Sequence, residues 1–273
     1  MQTSGKSRLS VCETSTIRWT FEEDVFRYRK QGFDSMGIWR YKLHEYGEEK
    51  AVELLAENQM GVSSLHWAGG FTGGDGRTLR DSMFDALDAI EVAASLNASC
   101  LVVLAGSRGG HTRNHARRIL KKALTELGEA AMASSVQLAV EPMHLGCAQD
   151  WTFLTELPAT LDIIAEIKNP NIGIVFDCYH MAHDPNVVHW LPELVPSIRL
   201  VQMGDSKAVP KGEQNRCLLG EGELPLPAII QTLEANGYQG SYEIELMGED
   251  IEQFEYEDIL DRSAKTMRSW LAT

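Results

Sequence analysis

The chain has 273 residues, 44% of them hydrophobic and 23% charged, with 23 Gly against 9 Pro, a composition that excludes a disordered or collagen-like chain. Lys and Arg number 25 against 39 Asp and Glu, and the resulting formal charge of −14 excludes a nucleic-acid partner held through its phosphates. No apolar run approaches the roughly 18 residues that span a bilayer, and the first ten residues lack the apolar core of a signal peptide. Cys12, Cys100, Cys147, Cys178 and Cys217 are odd in number and form no CxxC pair, so the expectation is a reduced, cytoplasmic protein with no membrane partner.

Short runs of Val, Ile and Leu alternate with longer stretches of helical period, without a linker, which predicts one domain over residues 1–273. In chain order, a strand over Leu9–Glu13 precedes a helix over Glu22–Gln31, Ser35–Trp39 precedes Glu48–Asn58, and Val62–Trp67 precedes Leu79–Leu96. Next, Cys100–Ala105 precedes Asn114–Ala133, and Gln137–Pro142 precedes Phe153–Ile167. The last three pairs are Ile172–Asp177 with His189–Val195, Ile198–Met203 with Pro225–Asn236, and Tyr242–Leu246 with Tyr256–Leu271. The third helix shows the period well, since Leu79, Met83, Leu87, Ile90 and Ala94 recur at steps of three or four.

Eight such units of about 30 residues predict an α/β fold of the closed (β/α)8, or TIM barrel, type. The alternative is an open doubly wound sheet, but no GxGxxG follows the first strand and no GxxxxGK[ST] occurs anywhere. Glycine-rich segments at residues 69–76 and 106–110 follow the third and fourth strands. They read as turns needing positive φ, with closure over a site as the other reading.

In such a barrel chemistry sits at the C-terminal ends of the strands. There the fifth strand delivers Glu141, the sixth Asp177, the seventh Gln202 and the eighth Glu245. Carboxylates converging on one point repel one another and are costly to bury unless a cation lies between them. Oxygen donors without cysteine suit Mn2+ or Mg2+, and Co2+ or Zn2+ fit the same cage. Glu243 faces the same side as Glu245 one layer deeper, and reads as the partner of a buried cation.

His180, three residues past Asp177, is placed to contact substrate or shuttle a proton. Arg216, on the long connection after the seventh strand, can hold a carboxylate, hydroxyl or enediolate oxygen, or can be a solvated loop charge. His66 and Trp67 end the third strand, where they can wall a sugar-sized pocket, although Trp67 is equally explained by core packing. His144 ranks behind these, as a residue supporting Glu141.

Glu141-Pro142, Asp177 with His180, the segment VQMGDS, Arg216 before GEGELPL, and GYQGSYEIEL resemble the sugar phosphate isomerase/epimerase family of xylose isomerase-like barrels. The resemblance implies one divalent metal on Glu141, Asp177, Gln202 and Glu245, with both glutamates exchanging protons with the substrate. It also implies that His180 and Arg216 contact that substrate. Two positions depart from the epimerase pattern: Gln202 stands where those enzymes carry His, and Cys147 where they carry a second Glu. A glutamine there is similar to relatives that dehydrate 3-dehydroshikimate, and inosose dehydratases share the barrel.

The resulting expectation is an isomerase or epimerase of a small sugar or keto-acid that works through a metal-stabilised enediolate. The alternative is a lyase that removes the same proton and then expels a β-hydroxyl. A sugar-binding barrel without turnover is the non-enzyme alternative, opposed by the intact glutamates, and the acidic charge opposes an apurinic endonuclease. The composition is compatible with a homo-oligomer.

Overall fold

The computed structural model describes residues 8–212 and 214–272. In chain order the elements are β1 (Leu9–Cys12), α1 (Phe21–Lys30), β2 (Ser35–Trp39), α2 (Arg40–Tyr46), α3 (Glu48–Glu57), β3 (Gly61–Gly69), α4 (Leu79–Ser95), β4 (Cys100–Leu104) and α5 (Arg113–Ala133). There follow β5 (Gln137–Val140), α6 (Leu157–Ile167), β6 (Ile172–Asp177), α7 (Cys178–Met181), α8 (Val187–Leu194), β7 (Ile198–Met203), β8 (Asp205–Lys211), β9 (Gln214–Cys217), α9 (Leu226–Ala235), β10 (Tyr242–Ile244) and α10 (Tyr256–Leu271). Among the described residues eight parallel strands close in the order β1-β10-β7-β6-β5-β4-β3-β2, the predicted (β/α)8 barrel. None of these helices is long and apolar enough to cross a membrane.

Local sequence sets where the helices begin. At α1 the Thr20 side chain accepts the Glu23 N–H while Glu23 accepts the Thr20 N–H, and Thr78 with Asp81 repeats this reciprocal cap at α4. The helix predicted from Phe153 begins instead at Leu157, because Pro158 fits only the first turn of a helix. Helix α2 was not foreseen, and the connection after the seventh barrel strand contains the antiparallel hairpin β8–β9. The glycine-rich segments do adopt positive φ, as at Gly69 (140°) and Gly109 (57°). A Cβ at Gly69 would overlap the Leu104 carbonyl, and one at Gly109 would come within 2.7 Å of the Thr72 carbonyl, so the two segments are packed backbone against backbone.

The barrel interior is divided. Toward β4–β7 it is hydrocarbon and thiol, with Cys100, Val102, Ala139, Val175 and Leu200 in one cluster and Trp67 against it. Toward β1, β3 and β10 it is polar, lined by Ser10, Cys12, Ser63, Ser64, His66 and Glu243, all buried. The larger apolar core lies between the sheet and the helices, where Phe21, Val25, Tyr28, Ile90, Leu120, Leu124 and Ile259 are buried.

A second buried polar group braces the segment after β1. Lys42 Nζ donates to Asp24 Oδ2 (2.5 Å) and to the Thr16 carbonyl (2.9 Å), while Glu13 Oε2 accepts the Trp39 N–H (2.8 Å). Burial, then the nearby Asp24, pushes the Glu13 carboxyl well above its usual range. Removing the one cation of a buried pair leaves an uncompensated charge. Lys42→Met is therefore expected to lower unfolding free energy by about 3 kcal/mol in urea titration, and an unchanged midpoint would contradict the role of this group.

Candidate metal centre and active site

Four consecutive strands of the barrel wall, β5, β6, β7 and β10, bring the predicted ligands to one rim. Glu141 and Glu245 each stand immediately after a strand, with their N–H groups still on the ladder to the Val103 and Met203 carbonyls (3.1 Å each). Asp177 ends β6 level with Gln202 of β7, and Gln202 is level in turn with Glu243 of β10. All four ligand candidates are buried: Glu141 is 5% exposed, Asp177 1%, Gln202 0% and Glu245 8%.

Asp177 also caps the one-turn helix α7, its Oδ1 accepting the Tyr179 N–H at 2.7 Å. That turn carries His180 back over the strand end, with Nε2 3.5 Å from Asp177 Oδ2. Donor atoms of Glu141, Asp177 and His180 lie within 4.8 Å of one another. Among the described residues, Asp177 Oδ2, His180 Nδ1 and both amide atoms of Gln202 are buried without a hydrogen bond. Such orphaned atoms are costly in an interior unless something binds them.

The electrostatics agree with that cost. Burial first, then Glu245 and Asp177, pushes the Glu141 carboxyl well above its usual range. Burial, then Glu245, pushes Asp177 up to about 7, against the pull of Arg216. Burial, then Arg216, holds His180 well below the usual imidazole value, so its ring is neutral at pH 7. Glu141 and Asp177, whose oxygens cluster with His180, fit one divalent cation together with the unbonded Gln202 amide oxygen, while Glu245 lies outside that tight group and acts on it through its charge. The cation's charge would remove the repulsion and its coordination would satisfy the orphaned oxygens.

Arg216 reaches the site from hairpin β8–β9, 3% exposed, with its guanidinium carbon 3.8 Å from the centre of the Tyr179 ring. The Tyr179 hydroxyl sits 2.7 Å from the Gln214 carbonyl and 3.1 Å from that of Gly212, so α7 holds the hairpin that carries the arginine. The Gly212 carbonyl also accepts from the Cys147 thiol at 2.9 Å, which gives that cysteine a tethering role where epimerases are expected to carry a glutamate. Asp205 fixes the far end of the connection, its Oδ2 accepting the N–H groups of Gly220 (2.8 Å) and Gly222 (3.1 Å). An Asn in its place turns an amide donor toward donors. Asp205→Asn is expected to cost about 2 kcal/mol of stability by urea titration, and no loss would show that the loop holds without this anchor.

Trp67 is half-buried and edge-on to Trp151, ring centres 5.3 Å apart. His66 is 3% exposed and turned inward, with Nε2 2.9 Å from Glu243 Oε1. Ser63 and Ser64 donate to the other Glu243 oxygen at 2.5 and 2.6 Å. Burial opposes charge on His66, but Cys12 and Glu243 outweigh it and raise the imidazole well above its ordinary value. The group that stands where a buried cation is expected beside Glu243 is the His66 ring, which pairs with it as a cation when protonated. Near the opening the His144 and His183 rings lie 5.9 Å apart. Sequence reasoning passed over Thr14, whose hydroxyl is 2.9 Å from Glu245 Oε1, and Tyr179. For Thr14 the only available signal was its place two residues past the first inward-facing strand.

Fold and site together define a parallel (β/α)8 barrel with buried carboxyl, amide and imidazole groups gathered at its C-terminal mouth. The chain belongs to the xylose isomerase-like TIM barrel family, whose model matches residues 26–270. It is similar to an inosose isomerase of Halalkalibacterium halodurans, 23% identical over 255 residues and covering 89% of each chain. It is similar also to a 3-dehydroshikimate dehydratase of Pseudomonas putida, 20% identical over 86% of this chain and 37% of that protein. Among solved structures, an IOLI protein with a bound zinc atom superposes with a TM-score of 0.84 at 20% identity, covering 97% of this chain and 98% of that one.

Proposed function

We propose that this chain is a divalent-metal-dependent isomerase or epimerase of a small hydroxy-carbonyl compound of the sugar or cyclic-polyol type. The observation that carries this reading is the set Glu141, Asp177, Gln202 and Glu245, buried at the ends of consecutive strands with Asp177 Oδ2 and both Gln202 amide atoms left without a hydrogen bond. The similarity to an inosose isomerase supports an inosose as the first substrate to try, and the zinc bound by the IOLI protein supports a divalent metal as cofactor.

A divalent cation bound there, Mn2+ or Mg2+ by the hardness of the donors and Co2+ or Zn2+ within their tolerance, supplies the Lewis acidity that acidifies the carbon beside a carbonyl. Glu141 and Glu245 come from β5 and β10, the two ends of a four-strand arc, and approach a substrate from different sides. One takes the proton from that carbon and the other returns a proton on the opposite side. Neutral His180 accepts or donates a hydrogen bond at a substrate hydroxyl. Arg216 supplies a fixed charge for a hydroxyl or carboxylate oxygen. Trp67 would line the wall that keeps water from the reacting carbon, while His66, turned inward onto Glu243, stands behind that wall.

The second reading, a dehydratase of a cyclic keto compound such as 3-dehydroshikimate or inosose, is favoured by the glutamine at position 202 and by the dehydratase relative. It uses the same base, with the second carboxyl protonating a departing hydroxyl. Proton NMR in D2O separates them, using metal-reconstituted protein with ketoses, hydroxypyruvate, inosose and 3-dehydroshikimate, and chelating paramagnetic ions before acquisition. Deuterium beside the carbonyl with every hydroxyl retained is the expected result. A dehydrated product would establish the lyase, and protein that retains no divalent ion after reconstitution would overturn both.

A further inference from the structure

One arm of the polar half of the barrel interior runs directly to the proposed cage. The Thr14 hydroxyl stands 2.9 Å from Glu245 Oε1 and 2.9 Å from Cys12 Sγ. It has one proton, and the carboxylate is much the stronger acceptor, so Thr14 donates to Glu245 and receives the Cys12 S–H. Burial pushes the Cys12 thiol up to about 11, which keeps that S–H in place at neutral pH. Cys12 in turn meets the His66 ring, and His66 is held by Glu243, itself held by Ser63 and Ser64. The turn carrying Thr14 is fixed on both sides. Ser15 accepts the Leu246 N–H at 2.9 Å and lies 3.3 Å from the Ile244 carbonyl, and Lys42 holds the Thr16 carbonyl.

The two glutamates of the cage are therefore unequal. Glu245 has one oxygen occupied by a hydroxyl donor, whereas among the described residues no side chain hydrogen-bonds Glu141. We propose that Thr14, braced by the Cys12–His66–Glu243 chain beneath it, is a positioning residue that clamps Oε1 of Glu245 and so presents the other oxygen to the metal, leaving Glu141 as the glutamate free to swing. This rests on the cage reading above. Partners that orient a ligating carboxylate are typically worth about 10- to 100-fold in metal affinity. No role for Thr14 as a ligand is implied.

Calorimetric titration of apo protein with Mn2+, beside thermal melting of the same apo samples, tests the clamp. Thr14→Val keeps the shape and removes the donor, and is expected to weaken Mn2+ about tenfold with the apo melting temperature unchanged. Thr14→Ser, which keeps the hydroxyl, is expected to restore wild-type affinity. Cys12→Ala leaves Thr14 without its donor and is expected to give a smaller loss of the same kind. Wild-type affinity in Thr14→Val overturns the clamp while leaving the cage intact. A wild-type protein that takes up none of Mn2+, Mg2+, Co2+ or Zn2+ overturns the cage and the clamp with it. Two ions per chain, one of them lost in Cys12→Ala, would make Cys12, His66 and Glu243 ligands of their own and overturn the bracing role.

Discussion

Glu141→Gln and Glu245→Gln are each expected to slow deuterium incorporation into substrate by about a thousandfold or more while the protein stays folded. Each change keeps the shape of the side chain and an oxygen donor but removes the group that takes or returns the proton. Neither is expected to unfold the barrel, because burial and the neighbouring carboxyls already oppose the charge on Glu141. Thermal melting of metal-free Glu141→Gln should therefore match or exceed that of the wild type. Exchange within tenfold of wild type in both variants would remove the two glutamates from the mechanism.

The metal-free protein is expected to lose stability as pH rises, and metal to return it. Asp177 is raised to about 7 and Glu141 well above its usual range, so the folded state holds protons that the unfolded chain releases near pH 4. Stability from these groups is complete below about pH 4 and is lost as pH climbs toward about 7. For Asp177 the window corresponds to on the order of 4 kcal/mol. His180 has the opposite sign: its lowered value makes stability rise with pH through the ordinary imidazole range, which works against the carboxyls. Glu13 and Asp24 are also raised but lie away from the cage, so the informative quantity is the difference between metal-loaded and metal-free melting. That difference should widen from pH 4.5 to 7.5 in calorimetric scans with Mn2+ or with chelator. A gap that stays constant with pH would mean the ion binds elsewhere.

Much of this was legible because parallel barrels bury their strands on both faces, so each strand reads as an apolar run and the polar residue that interrupts its end stands out. Asp177 after Ile172–Phe176 and Glu141 after Gln137–Val140 are of that kind. The strands of β2, β6 and β7 and helix α10 fall at the residues the pattern predicts. Hairpin β8–β9 did not show, since its residues are exposed on one side and it is held from outside by Tyr179 and Gly146 rather than by its own apolar pattern. The inward turn of His66 was also hidden. A histidine at a strand end looks the same in sequence whether it faces the mouth or a buried carboxylate, and only the approach of Glu243 from β10 decides. Thr14 was invisible for a related reason, as its partner lies 231 residues away.

The divided barrel interior sets how the sequence is free to drift. On the β4–β7 side a valine can become an isoleucine, or an alanine a cysteine, and the cost is one of volume that a neighbour can absorb later. On the β1, β3 and β10 side a change at Ser63, Ser64, His66 or Glu243 leaves a buried partner without its hydrogen bond, a cost that no shift of neighbouring volume relieves. The two flanks of one barrel therefore answer to different rules, volume on one and hydrogen-bond pairing on the other.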